Sequence, residues 1–187
     1  MQKAKTVKKL ISVAIAFTLM LTLFAFAPVP VGAFGDTYST ISASYNHTLA
    51  IKNDGSLWAW GRNSEGLLGD GTTEGKHSPV KIMDGVAQVS AGAYHTLAVK
   101  NDGSLWAWGR NSEGQLGDGT TEDKYSPVKI MDGVAHVSTG GHTMAIKSDG
   151  SLWAWGQNDS GQLGDGTTED RHTPVKIMDG VAQVSSE

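Results

Sequence analysis

Three histidines, His47, His95 and His142, recur 48 and 47 residues apart, and histidine is the side chain best suited to moving protons near neutral pH. A catalytic site needs such a group once. Here it stands once per repeat, beside small residues at the start of a strand-like run, so its expected role is structural, tying backbone carbonyls or a neighbouring loop. Asp70, Asp118 and Asp165 repeat with it inside Leu-Gly-Asp-Gly-Thr-Thr. Their oxygens would suit calcium, but Asp118-Gly119-Thr120-Thr121-Glu122 lacks the alternating acidic ligands and distal Glu of a calcium loop. Asp before Gly and two Thr is instead turn chemistry. Gly69-Asp70-Gly71 lacks the lysine and the strand-to-helix setting of a phosphate cradle, and Gly-x-Ser-x-Gly and His-Glu-x-x-His are absent from the sequence. These residues predict no catalytic residue, no metal and no cofactor.

The positions that vary between repeats carry a different chemistry. The strand-like runs scarcely change, while Gly75-Lys76-His77 becomes Asp123-Lys124-Tyr125 and then Asp170-Arg171-His172. Leu67/Gln115/Gln162, Arg62/Arg110/Gln157 and Gln88/His136/Gln183 vary too. Charged and aromatic side chains on loops held by a rigid scaffold are where binding concentrates. Lys76, His77, Asp123, Lys124, Tyr125, Asp170, Arg171 and His172 are therefore the expected partner-binding residues, with drift on a solvated loop as the alternative.

The elements that must position them are built on Asn53-Asp54-Gly55-Ser56-Leu57-Trp58-Ala59-Trp60-Gly61, which returns almost letter for letter at 101–109 and 148–156. Asp-Gly is a hairpin turn, and the run behind it sends Leu57 and Ala59 one way and Trp58 and Trp60 the other. Trp58, Trp60, Trp106, Trp108, Trp153 and Trp155 are all the tryptophans of the chain, so the core must form around them. In the second unit, alternation places strands at 86–90, 95–100, 105–109 and 126–131, with a long Gly-rich excursion between the last two. No window has helical periodicity. Four short antiparallel strands per unit, at this period, predict an all-β fold of β-propeller blades, about three of them, as a partial propeller or part of an oligomeric or longer one. Both faces of the Trp strand are apolar, as a sheet sandwiched between neighbours requires.

Gly92 to Ala98, Asp102-Gly103, Trp108-Gly109-Arg110-Asn111 and Gly114-Gln115-Leu116-Gly117 resemble the regulator-of-chromosome-condensation type repeat, with its Gly-x-x-His-Thr/Ser-Leu-Ala opening, Asp-Gly turn, Trp-Gly-x-Asn and Gly-Gln-Leu-Gly. The resemblance covers essentially everything after Ser42. It implies a seven-bladed propeller, whereas this sequence holds three units, at 42–90, 91–138 and 139–185, with 181–187 matching the first strand of a further one. An arc of three blades leaves open edges and exposed blade faces, which favours self-association or a longer chain.

Before the repeats, Lys3, Lys5, Lys8 and Lys9 precede an uncharged apolar run at 10–27, then Pro28, Pro30 and Val31-Gly32-Ala33. This is the layout of a secretory signal of bacterial look over 1–33, cleaved after Ala33, followed by a lead at 34–41. An uncleaved membrane anchor is the alternative. Loss of its four lysines and no acid takes the formal charge from −4 to −8, which disfavours nucleic acid and anionic membranes as partners. There is no cysteine, so an exported chain has neither disulfides nor thiol catalysis. The expected function is a secreted or cell-surface, non-catalytic protein-interaction module. The resemblance adds two alternatives, an inhibitor of a secreted enzyme such as a β-lactamase and a guanine-nucleotide exchange factor, the latter disfavoured by the leader. A cell-wall or polysaccharide hydrolase is the enzymatic alternative and would need paired carboxylates.

Overall fold

The computed structural model describes residues 37–185. The expected signal at 1–33 lies outside them, as do 34–36 and 186–187. The described residues form twelve strands in three four-stranded antiparallel sheets and no helix. Sheet 1 is β1 (Tyr38–Ser44), β2 (His47–Lys52), β3 (Leu57–Gly61) and β4 (Lys76–Met83). Sheet 2 is β5 (Val86–Ala91), β6 (His95–Lys100), β7 (Leu105–Gly109) and β8 (Lys124–Met131). Sheet 3 is β9 (Val134–Thr139), β10 (His142–Lys147), β11 (Leu152–Gly156) and β12 (Arg171–Met178). Within each sheet the strands lie in chain order, and β5 approaches both β1 and β9. This is the predicted all-β architecture of propeller blades.

Each Asp-Gly-Ser turn fixes the strand it opens. Asp54 Oδ1 accepts from the Ser56 backbone N–H at 2.9 Å and from its hydroxyl at 2.6 Å, and Ser56 Oγ accepts from Trp58 Nε1 at 2.9 Å. The same chain of bonds repeats from Asp102 and Asp149. Across β2 and β3 small residues oppose large ones, Ala50 facing Trp58 and Leu49 facing Ala59, so neighbouring sheets interdigitate. Leu49, Ile51, Leu57 and Ala59 of sheet 1 pack against Val86, Val89, Ala98 and Trp108 of sheet 2. Leu97, Val99, Leu105 and Ala107 of sheet 2 repeat the contact with Val134, Val137, Ala145 and Trp155 of sheet 3.

Boundaries differ from the sequence expectation at four points, the smallest at β5, which runs to Ala91 instead of Ser90. β1 begins at Tyr38, inside the stretch read as a lead, because its polar, exposed residues hide the strand pattern. β8 begins at Lys124 instead of 126, since an irregularity pairs Gly109 with Lys124 and draws two loop residues into the ladder. Residues 181–185 form no strand; Val181 bonds back to Gly150, and the hairpin partner such a strand would take is absent from the described residues. The prolines Pro79, Pro127 and Pro174 sit in the outermost strands, where the missing donor faces no ladder partner.

Candidate functional site

The recurrent histidine opens the second strand of each sheet, and in sheets 1 and 2 it points across the seam to the next. His47 Nε2 lies 3.1 Å from Thr96 Oγ1, and that hydroxyl donates to the Leu67 carbonyl at 2.8 Å. His95 Nε2 lies 2.8 Å from Thr143 Oγ1, which donates to the Gln115 carbonyl at 2.7 Å. A threonine has one hydroxyl proton. At His47 the carbonyl takes it, so the ring supplies the proton to Thr96 and carries its hydrogen on Nε2, whereas His95 Nε2 is shared between Thr143 and the Thr139 hydroxyl at 2.5 Å. Burial lowers the pKa of His47 to about 4, and burial with the charges of His142 and His47 lowers that of His95 to about 3. Both rings are therefore neutral near pH 7, and both join blades.

The tryptophans divide by face. Trp108 and Trp155 are fully buried in the two seams, Trp106 and Trp153 partly so, and Trp58 and Trp60 lie half-exposed on the outer face of sheet 1. Trp108 Nε1 donates to the Leu67 carbonyl at 2.8 Å. Its ring sits so close to Gly69, at φ +79°, that a Cβ there would lie 2.7 Å from Nε1.

Each long loop is organised by a buried asparagine. Asn111 Nδ2 donates to Asp118 Oδ1 at 3.1 Å and to the Thr120 carbonyl at 2.9 Å, while its Oδ1 accepts from the Leu116 N–H at 2.9 Å. Asn63 and Asn158 repeat this. Asp118 Oδ1 also accepts from the Thr120 N–H and hydroxyl, and Lys124 approaches its other oxygen at 3.6 Å. Burial alone would raise the Asp118 pKa, but the bonds from Thr120 and Asn111 and the Lys124 charge carry it below the ordinary value. Oδ1 is thus taken up within the loop, and Oδ2 faces the Lys124 ammonium. Among the described residues no three His, Cys, Asp or Glu side chains gather as a metal site.

The variable residues at the start of the outer strands are drawn into the same scaffold. Lys76 pairs with Asp70 at 3.3 Å, Lys124 with Asp118, and Arg171 with Asp165 at 2.5 Å. Asp123 and Asp170 accept from the backbone N–H groups of Asn111 and Asn158 at 2.8 and 2.7 Å. Tyr125 and His172 lie against Gly66 and Gly114 of the preceding loop, and their carbonyls accept from the Gly71 and Gly119 N–H groups, each at 2.9 Å. His77 takes the same place on sheet 1 and is exposed.

The sheet end that bears the long loops gathers other residues. Tyr45 stands 88% exposed on the β1–β2 turn and Tyr94 45% exposed before β6. The Arg110 guanidinium lies 5.2 Å from the Tyr94 ring centre and pairs with Glu113 at 2.8 Å. Arg62 pairs with Glu65 at 2.6 Å. One concavity is lined by Tyr94, Arg110, Glu113, Gly141 and Gln157, another by Tyr45, Ala91, Gly92, Thr139 and Gly140. Sequence reasoning passed over Tyr45 and Tyr94. Their signal was present, because the third repeat carries Gly140-Gly141 at this turn and Gln157 for the arginine.

The sequence matches the family described as "Regulator of chromosome condensation (RCC1) repeat" at residues 54–99, 102–146 and 149–186, and a second model of the same repeat at 38–67, 86–115 and 134–162. The chain belongs to the RCC1 repeat family. It is 43% identical over 42 residues to the Protein RCC2 homolog of Danio rerio, covering 22% of this chain and 8% of that protein. It is 39% identical over 59 residues to the Ultraviolet-B receptor UVR8 of Arabidopsis thaliana, covering 31% and 13%. Human WBSCR16 superposes with a TM-score of 0.65 at 25% identity over 76% of this chain and 40% of its own. Yeast RCC1 (Prp20), in a structure bound to Kap60, gives 0.68 at 22% identity over 76% and 38%, a likeness of fold. The RCC1 repeats described here thus span well under half of each of these proteins.

Proposed function

We propose that this RCC1 repeat chain is a secreted or cell-surface, non-catalytic protein-interaction module, and that it grips its partner at the end bearing the long loops. The observation carrying the reading is the exposed pair Tyr45 and Tyr94 with Arg110 laid over the second ring, on turns held by seams and buried asparagines. Tyrosine and arginine dominate protein interfaces because they offer large contact areas with a polar tip. Yeast RCC1 is described as bound to Kap60 and as binding Gsp1p and histones, which supports a protein as the class of partner. The acidic balance favours a partner with a basic or neutral surface. An inhibitor of a secreted enzyme such as a β-lactamase is a narrower form of this reading, with the loop end laid over the enzyme's cleft. The hydrolase alternative loses support from the repeated aspartates, whose Oδ1 atoms accept from their own loops and whose Oδ2 atoms face Lys76, Lys124 or Arg171. The exchange-factor alternative requires a cytosolic GTPase that a secretory leader would keep out of reach. Self-association through the open blade faces belongs to the same reading.

The test is capture from the envelope and medium of the producing organism. Combining Tyr45→Ala with Tyr94→Ala is expected to lower the yield of captured protein at least tenfold. Lys124→Ala, which removes only the pairs to Asp118 and Glu122 of its own loop, is expected to leave it unchanged. Equal capture by the tyrosine variant and the parent would overturn the loop-end assignment.

A further inference from the structure

The chain makes the same blade-to-blade seam twice, and the two halves of that seam also stand exposed at its two outer faces. The receiving half consists of a histidine, a loop carbonyl and a row of glycines. In sheet 1 these are His47, Leu67, Gly66, Gly69 and Gly71, filled by Thr96, Trp108 and Tyr125. In sheet 2 they are His95, Gln115, Gly114, Gly117 and Gly119, filled by Thr143, Trp155 and His172. Sheet 3 carries the same set in His142, Gln162, Gly161, Gly164 and Gly166. There the nearest atoms to Gly161 and Gly164 belong to sheet 3 and its own loop, and nothing lies within 4 Å of a Cβ on Gly166. Met144 and Leu152 are half-buried where Leu97 and Leu105 are fully buried, and Met178 is 53% exposed.

On sheet 1 the inserting half meets no neighbouring sheet among the described residues. Thr48 and Trp60 are half-exposed, whereas Thr96, Thr143, Trp108 and Trp155 are completely buried. Ile41 is 64% exposed, against 7% for Val89 and 6% for Val137 at the matching positions of sheets 2 and 3. One chain therefore presents both a socket and the plug that fits it.

We propose that a second copy of this chain docks the outer face of its sheet 1 on the outer face of sheet 3, head to tail, and rebuilds the internal seam between chains. His142 Nε2–H donates to Thr48 of the second copy, whose hydroxyl donates to the Gln162 carbonyl, while Trp60 of the second copy covers Gly164 and His77 covers Gly161. The choice of a second copy rests on the near identity of the repeats. The complementarity follows the one the chain already realises internally, with His142, Thr48 and Trp60 at the places of His95, Thr143 and Trp155, and with Met144, Tyr38 and Ile41 at those of Leu97, Val134 and Val137. Because plug and socket differ, the contact is heterologous, and it grows until it closes on itself or continues as an open chain. This deepens the self-association named above and is independent of the Tyr45 and Tyr94 surface.

The test uses the full chain recovered from a secreting host, its N-terminus read by mass spectrometry and its mass in solution by light scattering. Trp60→Glu spoils the plug and Met144→Glu the socket. The parent is expected to be larger than a monomer, each variant alone to be a monomer, and an equimolar mixture to form a dimer of one plug-spoiled and one socket-spoiled chain. If either substitution disturbs folding, as near-ultraviolet circular dichroism would reveal, Ile41→Lys and Met178→Lys replace the pair at exposed positions. A leader left in place is common to all species and cannot produce this pattern. A monomeric parent, variants that associate like the parent, or a mixture that stays monomeric each overturns the proposal. The Tyr45 and Tyr94 variant should assemble like the parent, so failure of partner binding and failure of assembly read out separately.

Discussion

Leu67 and Gln115 occupy the same place in successive loops, yet their carbonyls keep different company. The Leu67 carbonyl accepts from both Thr96 and Trp108. The Gln115 carbonyl accepts from Thr143, while Trp155 Nε1 is buried without a partner. The Gln115 side chain is meanwhile tied to Glu113, accepting from its N–H at 3.0 Å and donating to its carboxylate at 3.0 Å. A buried N–H without an acceptor forfeits its bond to water and gains nothing in return. Trp108→Phe and Trp155→Phe lose similar volume from equivalent seams, but only the first loses a hydrogen bond. Trp108→Phe is expected to be the more destabilising of the two by about 1 kcal/mol, measured by urea unfolding of both variants.

At the scale of the element, the long loop is organised around Asn111. Its amide satisfies the Thr120 carbonyl and the Leu116 N–H at once, and its removal strands the first in a half-buried and the second in a buried place. Asn111→Ala is expected to cost about 2–4 kcal/mol from those two unmade bonds, with loss of hydrogen-exchange protection at Leu116 as the local sign. Asn111→Asp keeps the acceptor but sets a second carboxylate beside Asp118, so it should destabilise more at pH 7 than at pH 4. The sequence showed the turn character of Asp118 and the strands at 95–100 and 105–109, because Asp-Gly and two-residue alternation are local signals. It did not show that Lys124 and Tyr125 leave the loop for β8, since that depends on an irregular register against Gly109. Nor did it show which face of the Trp strand meets which neighbour. Alternation separates Trp106 and Trp108 from Leu105 and Ala107, but only the order of the sheets says that the indoles of one blade enter the loop of the blade before it. Tyr45 and Tyr94 were marked in the sequence as positions where the repeats differ, but only the structure shows that their rings are exposed.

For the sheets as a whole, the seam histidines couple stability to pH. His47 and His95 have pKa values of about 4 and about 3 against an ordinary 6.5, so the folded state keeps neutral rings that the unfolded chain would protonate. Between pH 6.5 and about 4 the unfolded state therefore binds more protons, and stability falls as the solution is acidified. Each histidine contributes a slope of about 1.4 kcal/mol per pH unit across that window. The contribution is complete above pH 6.5 and is lost progressively below it. The carboxylates of Asp54, Asp70, Asp102, Asp118 and Asp149, held below their ordinary 3.8, act in the same direction but only at lower pH, which separates the two effects. Urea unfolding at pH 7, 5.5 and 4.5 should show the midpoint dropping across the series. His95→Gln should be less stable at pH 7 but shallower in its pH dependence, since one of the two buried rings no longer titrates. A profile flat from pH 7 to 4.5 would mean that the rings are protonated within the folded sheets, and the Nε2–H to threonine to carbonyl chain would then have to be redrawn with a charged donor at its head.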